Sequence, residues 1–251
     1  MSKIDLLGVS VAALTLPELL ATINEAIAEK RRLTMSYVNA HALRMAQEDA
    51  AFRGALNGMD LVFCDGFGPR LAARLLGNPL PDRFTPPDWI DQISHGPSGR
   101  PHRLFLLGAA PNIAAEAATG LQRQHGALIV GTHHGHFDVE GAENDVVLAA
   151  VAQAAPDILL VGMGMPRQEL WVQRHRQALE VPVVICVGAL FDYLTGHVKR
   201  GPRWLTDHGF EWLTRLWYEP RRLGERYVVG LPLFFALVAR ERLQRFRNKS
   251  G

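Results

Sequence analysis

Asp65 stands between an apolar run and two glycines in the stretch Leu61 to Gly68, LVFCDGFG. A carboxylate emerging at the carboxyl end of a buried strand, beside Gly66 and Gly68 where the backbone can turn and a substrate can come close, has the address of a general base. A second reading is open at the same residue, because an Asp before a helix commonly caps it. Asn39 has a similar address after LTMSYV and is either a cap or a second polar group on the same cleft. Arg83 lies in a proline-rich stretch where folding has little use for a cation; it is a candidate for the chemistry or a solvated surface charge. Gln168 falls in the first turn of a helix within GMGMPRQE, with Pro166 suited to the helix start, and its amide either meets a sugar hydroxyl or decorates the helix.

Other clusters exclude chemistry. HHGHFDVE crowds His133, His134, His136 and Asp138, but adjacent histidines cannot easily face one ion from a regular element. There is no H-x-x-x-H or H-E-x-x-H pair and no D-x-D, of which Asp138-Val139-Glu140 is the nearest approach, so no metal site is expected. GAAPNI lacks the second glycine of the dinucleotide fingerprint, GMGMPR has Arg167 in place of the third, and no P-loop is present.

The elements that must hold these residues follow from the apolar pattern. Short β-rich runs alternate with helix-period segments up to about residue 195, as in an α/β protein with a largely parallel sheet. Early strands are expected at Ile4–Leu7, Leu33–Val38 and Leu61–Cys64, and helices near Leu16–Lys30, Ala40–Asn57 and Gly68–Leu76. Thr15 and Glu18 form a capping box with Pro17 between them, which favours a strand, a turn and a helix over a secretory signal. GNPLPDRFTPPDW then breaks the pattern with four prolines, and the boundary between two lobes falls in or after it. The second lobe reads as four βα units whose strands end in glycine-containing turns, the place where open α/β sheets bind phosphorylated ligands. Gly108, Ala109 and Ala110 on one such turn, and Gly164, Pro166 and Arg167 on another, are therefore substrate-binding candidates.

Composition agrees with a globular protein: 48% of residues are hydrophobic and 21% charged, enough to bury a full core. Cys64 and Cys186 both sit in apolar runs, as reduced packed thiols do, and a reducing cytoplasm fits them. The formal net charge is +2, yet residues 196–251 hold 12 Lys and Arg against 5 Asp and Glu. That segment also holds Trp204, Trp212 and Trp217 and the apolar run Val228 to Val238. The run is too short to cross a bilayer, which needs about 20 residues. Basic and aromatic residues beside it suit an interfacial segment on anionic lipid, or a helical pair packed on the core with solvated arginines. No nucleic-acid motif accompanies the charge.

DGFG, DRFTPPD, GMGMPRQE, GALFD, EWLTRL and EPRR, in this order over nearly the whole chain, resemble the motifs of the WecG/TagA/CpsF glycosyltransferases. The resemblance implies an inverting, metal-independent transfer from a UDP-sugar to a polyprenyl-diphosphate-linked saccharide, with no cofactor, in bacterial cell-surface or exopolysaccharide synthesis. It further implies a peripheral position on the cytoplasmic face of the inner membrane, with an anionic membrane surface as partner; no nucleic acid is expected, and the apolar surface of the tail suits self-association off the membrane. The donor sugar it leaves open among N-acetylmannosamine, its uronic acid, glucose and similar hexoses. It assigns the catalytic base to Asp65, with Asn39, Arg83 and Gln168 as further catalytic positions. It adds Tyr37, a position that is threonine in many members, and Asp192 of GALFD to the substrate contacts. Arg215, Arg222 and Arg226 match the arginines of a C-terminal appendage that closes the site.

The expected architecture is thus α/β and two-lobed: residues 1–98 carrying the base, 99–195 forming a Rossmann-like UDP-sugar-binding lobe, and 196–251 a basic, helical, membrane-associating appendage. A non-catalytic adaptor at the membrane surface and a nicotinamide-dependent oxidoreductase remain as alternative classes, the second disfavoured by the missing fingerprint.

Overall fold

The computed structural model describes residues 1–198, Gly201, 216–218 and 224–249. Six parallel strands form one sheet: β3 (Leu33–Val38), β4 (Leu61–Cys64), β5 (Arg103–Gly108), β6 (Leu128–His133), β7 (Ile158–Gly162) and β8 (Val183–Cys186), in the spatial order β4-β3-β8-β7-β5-β6. Every residue of β3, β4, β7 and β8 is buried, which is why these strands read as unbroken apolar runs: a parallel sheet is covered on both faces. The Rossmann-like sheet is larger than the strands of the second lobe alone. Two strands from the first lobe extend it, and the seam is the β3–β8 pair, with Met35 opposite Ile185.

Alternate residues of each strand face opposite layers. Val38, Cys64, Leu159 and Cys186 face one layer, built from α2 (Ala40–Glu48), α3 (Ala50–Asn57), α4 (Phe67–Leu75), α6 (Ala142–Ala154) and α7 (Arg167–His175). Tyr37, Phe63, Leu106 and Ile185 face the other, built from α1 (Leu16–Ala28), α5 (Ile113–His125) and α8 (Leu190–Leu194). The long helix α9 (Gly230–Lys249) joins the first layer through fully buried Phe234 and Val238, packed by α2 and α4, and Arg245 near its end reaches the Asp5 carboxylate at 3.3 Å. Its outer side leaves Leu233, Leu243 and Phe246 exposed. Among the described residues no helix is long and apolar enough to cross a membrane.

Two local expectations are corrected. A hairpin of β1 (Lys3–Leu6) and β2 (Val9–Ala12) precedes α1, where one strand and a turn are expected. The turn falls at Leu7 and Gly8, and Leu7 takes a φ of 54° that its side chain does not advertise. The helix expected over Ala40–Asn57 is two, broken at Asp49, whose extended backbone ends α2 while its carboxylate accepts the Phe52 N–H at 2.9 Å to cap α3. Asp49→Ala is expected to cost about 1 kcal/mol, read as a lower urea midpoint at unchanged slope.

Candidate active site

A cleft of about 260 Å³ opens at the carboxyl ends of four neighbouring strands, β4, β3, β8 and β7. This is the edge where an open α/β sheet binds ligands. Asp65 comes to it directly from β4: its N–H still bonds to the Val38 carbonyl at 2.9 Å, so the ladder holds up to the residue that carries the carboxylate. The N-cap position of α4 is Gly66, one residue beyond Asp65. Asn39 from the end of β3 lines the same cleft and is also a cap, its Oδ1 accepting the Ala42 N–H at 3.0 Å. Tyr37 forms the floor, its ring 6.0 Å from Phe63, which in turn stacks on Phe84 at 5.3 Å. Its hydroxyl lies against Gly188, where a Cβ would come within 2.2 Å of it and where φ is +57°. Only glycine fits that turn.

Gly164 also lines the cleft, on the turn after β7. The other expected contacts stand behind or beside it. Gly68 lets α4 approach α2, since a Cβ there would be 3.1 Å from the Ala40 Cβ; it serves helix packing. Gly66 opens α4 without forming part of the cleft wall. Gly108 abuts the Gly162 backbone, the Ala109 N–H bonds to the Gly162 carbonyl at 2.8 Å, and the Ala110 carbonyl takes the Ile113 N–H, so this turn stitches strand ends together. Pro166 is the N-cap residue of α7, and Arg167 turns to the loop after β6, bonding to the Phe137 carbonyl with its guanidinium 5.7 Å from the Phe137 ring centre. Arg83 and Asp192 are outside the wall; Arg83 runs beside the end of β4, where the following Phe84 N–H bonds to the Cys64 carbonyl. Arg215 and Arg222 lie outside the described residues, and the backbone of Arg226 lies in a π-helical turn, Glu225–Val229.

Gln168 is the clearest departure from expectation. It is fully buried, and its amide oxygen accepts the N–H of Gly164 at 3.2 Å and of Gly188 at 3.1 Å, while its Nε2 donates to Glu169 at 2.7 Å. It braces two cleft turns from behind instead of meeting a sugar hydroxyl. Several wall residues carry no sequence expectation: His41 two residues past Asn39, Thr85 and Pro86 within the proline stretch, Val187 before α8 and Tyr193 within it. The signal for the buried brace was present, because Ser36 is a hydroxyl in a strand covered on both sides and there needs a partner.

That partner is Glu169, whose Oε1 accepts the Ser36 hydroxyl at 2.9 Å. Burial pushes its carboxyl up to about 7, against the opposing pull of the hydrogen bonds from Gln168 and Ser36. In the unfolded chain the same group returns to its ordinary 4.5. Between those values the folded protein holds a proton that the unfolded chain releases, so this contribution to stability is fully present below the lower value and lost as pH rises through the upper one. The negative pH slope of stability in that window is expected to flatten in Glu169→Gln, measured by urea denaturation at a series of pH values. Both cysteines are free and buried, and burial raises their thiols, Cys64 to about 12, so neither is an available nucleophile.

Among the described residues that line the cleft, Asp65 is the one carboxylate and no Lys or Arg is present. Groups of His, Cys, Asp or Glu arranged to hold a metal ion do not occur among the described residues. The arrangement offers a carboxylate at a strand end, a polar neighbour in Asn39, an aromatic floor and two glycine turns. Comparison with known proteins identifies the family of the chain. Proteins from Staphylococcus aureus strains NCTC 8325, COL and MSSA476, each described as an N-acetylglucosaminyldiphosphoundecaprenol N-acetyl-beta-D-mannosaminyltransferase, are 26% identical to this chain over 241 residues, covering 95% of it and 93% of each relative. A family model for the glycosyl transferase WecG/TagA/CpsF family matches residues 4–248, nearly the entire length over which these strands and turns are built. The chain therefore belongs to the WecG/TagA/CpsF family of glycosyltransferases.

Proposed function

We propose that this protein transfers a hexose, with inversion, from a UDP-sugar to a polyprenyl-diphosphate-linked saccharide, with Asp65 as the general base. The observation that carries the reading is the place of Asp65: on the cleft wall, at the end of β4, with Gly66 taking the cap position of the following helix. An acceptor hydroxyl is a weak nucleophile at neutral pH. As its oxygen bonds to the anomeric carbon and the bond from that carbon to the UDP oxygen breaks, Asp65 takes the hydroxyl proton and UDP departs. Single displacement of this kind inverts the anomeric centre. The activity by which the relatives are described, a β-mannosaminyl transfer to a lipid diphosphate saccharide, supports this class of reaction and makes an N-acetylmannosaminyl donor the first to try. The family match favours glycosyl transfer over a nicotinamide-dependent oxidoreductase.

The leaving diphosphate needs positive partners. The N–H groups of Ala109, Gly164 and Gly188 are already engaged within the protein. In our reading Arg215, Arg222 and Arg226 of the appendage supply the charge, with Arg83 at the edge, and the reaction needs no metal; one carboxylate on the described wall is a poor ligand set for a divalent cation. The exposed apolar residues of α9 suit contact with the membrane that holds the acceptor. The test is UDP release from a panel of UDP-sugars, with and without a short-chain polyprenyl-diphosphate-linked saccharide, in the presence of EDTA. Acceptor-dependent release with one donor establishes the reaction. Absence of release with every donor, at protein concentrations where UDP binding is measured directly and also absent, rejects it in favour of a non-catalytic adaptor.

A further inference from the structure

Ser36 on β3, Glu169 and Gln168 on α7, and the turns holding Gly164 and Gly188 form one buried polar chain under the cleft. We propose that Glu169 is a positioning residue for the transfer reaction: by accepting the Gln168 amide N–H it fixes which way that amide faces, and so holds the two glycine turns that shape the donor side of the cleft. The inference rests on the reading that this cleft binds the donor.

A carboxamide fits its space almost equally well in two senses, but only one presents an oxygen to the Gly164 and Gly188 N–H groups. In the other sense an NH₂ would face two N–H donors, and both backbone groups would be left without this acceptor, at a cost in free energy. The two backbone donors thus disfavour the wrong sense from one end, and Glu169 disfavours it from the other: its Oε1, 2.7 Å from Gln168 Nε2, accepts the amide N–H and, when ionised, repels a carbonyl oxygen brought to that place. The Ser36 hydroxyl, 2.9 Å from the same Oε1, ties the carboxyl to β3. The titratable neighbour facing it from β8 is the Cys186 thiol, itself buried and held protonated. Ser36, Gly164 and Gly188 sit on or just past three of the four strands whose ends form the cleft, so one side chain that is not itself part of the wall links three of its sides. Glu169 is fully buried, which separates its role from that of any group meeting substrate.

The experiment compares full-length wild type with Glu169→Ala, Glu169→Gln and Ser36→Ala, at a temperature well below every melting point. Two readouts are taken: hydrogen exchange of the Gly164 and Gly188 amides without ligand, and kcat and KM for the donor. In Glu169→Ala both amides are expected to exchange at least about tenfold faster and the donor KM to rise about tenfold or more, the size of one lost buried hydrogen bond. Glu169→Gln, whose amide oxygen can still accept from Gln168 and Ser36, is expected to recover most of both effects. Ser36→Ala, which removes one small hydroxyl, is expected to give a partial loss and serves if Glu169→Ala does not fold. Unchanged amide exchange in the folded variants overturns the proposal, as does a lower melting temperature with wild-type donor KM. Equal losses in Glu169→Ala and Glu169→Gln overturn it as well, since they would assign the effect to charge. If the amides respond as expected but wild type neither binds UDP nor releases it, the positioning chain stands and the glycosyltransferase reading of the cleft fails.

Discussion

Asp65→Asn is expected to lower acceptor-dependent UDP release by about 10²–10⁴-fold, the range of a positioned general base. Asn keeps the size and polarity of the side chain but cannot take up a proton at neutral pH, so the loss should fall on kcat, with the donor KM changed little. Stability should also change little, because Gly66 holds the cap position of α4 and the β4 ladder is closed by the Asp65 backbone, which the substitution leaves in place. The measurement is a kcat and KM determination with the preferred donor beside a urea denaturation curve. A variant that keeps wild-type kcat removes Asp65 from the chemistry. A variant that loses kcat only in proportion to stability makes it a structural residue.

The second large effect is on the fold. At Gly108 φ is +152°, and a Cβ added there would lie 2.3 Å from the Gly162 carbonyl oxygen and 2.4 Å from its carbon. The obstacle is the backbone of β7, which pairs with β5 at that very position, so no side chain can swing aside. Gly108→Ala must push β5 and β7 apart just beneath the turns that meet at Ala109, whose carbonyl also accepts the Gly135 N–H at 2.8 Å. A cost of about 4–5 kcal/mol is expected, at the exceptional end for one substitution and much of the ~5–15 kcal/mol that holds a domain together. Gly120→Ala is the control: it lies in α5 with open space around it and should be stabilising by about 0.5–1 kcal/mol. Urea midpoints for the pair, or the yield of folded protein where Gly108→Ala does not accumulate, decide it. Similar behaviour of the two variants would contradict the close approach of β5 and β7.

Gly108 also shows why a motif does not reveal its own reason. From the residues alone, the GAAP turn reads as a place for phosphates; in the fold, its glycine is there because β5 and β7 touch. Gln168 is similar. Its position in a first helical turn after a strand is legible, but whether it faces the cleft or the core depends on how α7 lies on the sheet, and α7 turns it inward to Gly164 and Gly188. The hairpin at Leu7 is not legible because its turn is held from a neighbouring element, the Leu7 carbonyl accepting the Gln47 amide at 2.6 Å, while the break at Asp49 is a local cap that the apolar pattern passes over.

Local pattern by itself determined the strands β3 and β4 to the residue, the α/β class, the strand-end addresses of Asp65 and Asn39 and, through its motifs, the family. These follow from short-range physics: apolar runs demand burial, and helix starts demand caps. Tertiary structure alone decided that both lobes share one sheet, that four strand ends meet around Asp65, and that Ser36, Glu169 and Gln168, up to 133 residues apart, close into one hydrogen-bonded chain. The reason is that strand order and the facing of a buried polar group are set by which surfaces pack together. Spacing along the chain carries no record of that choice.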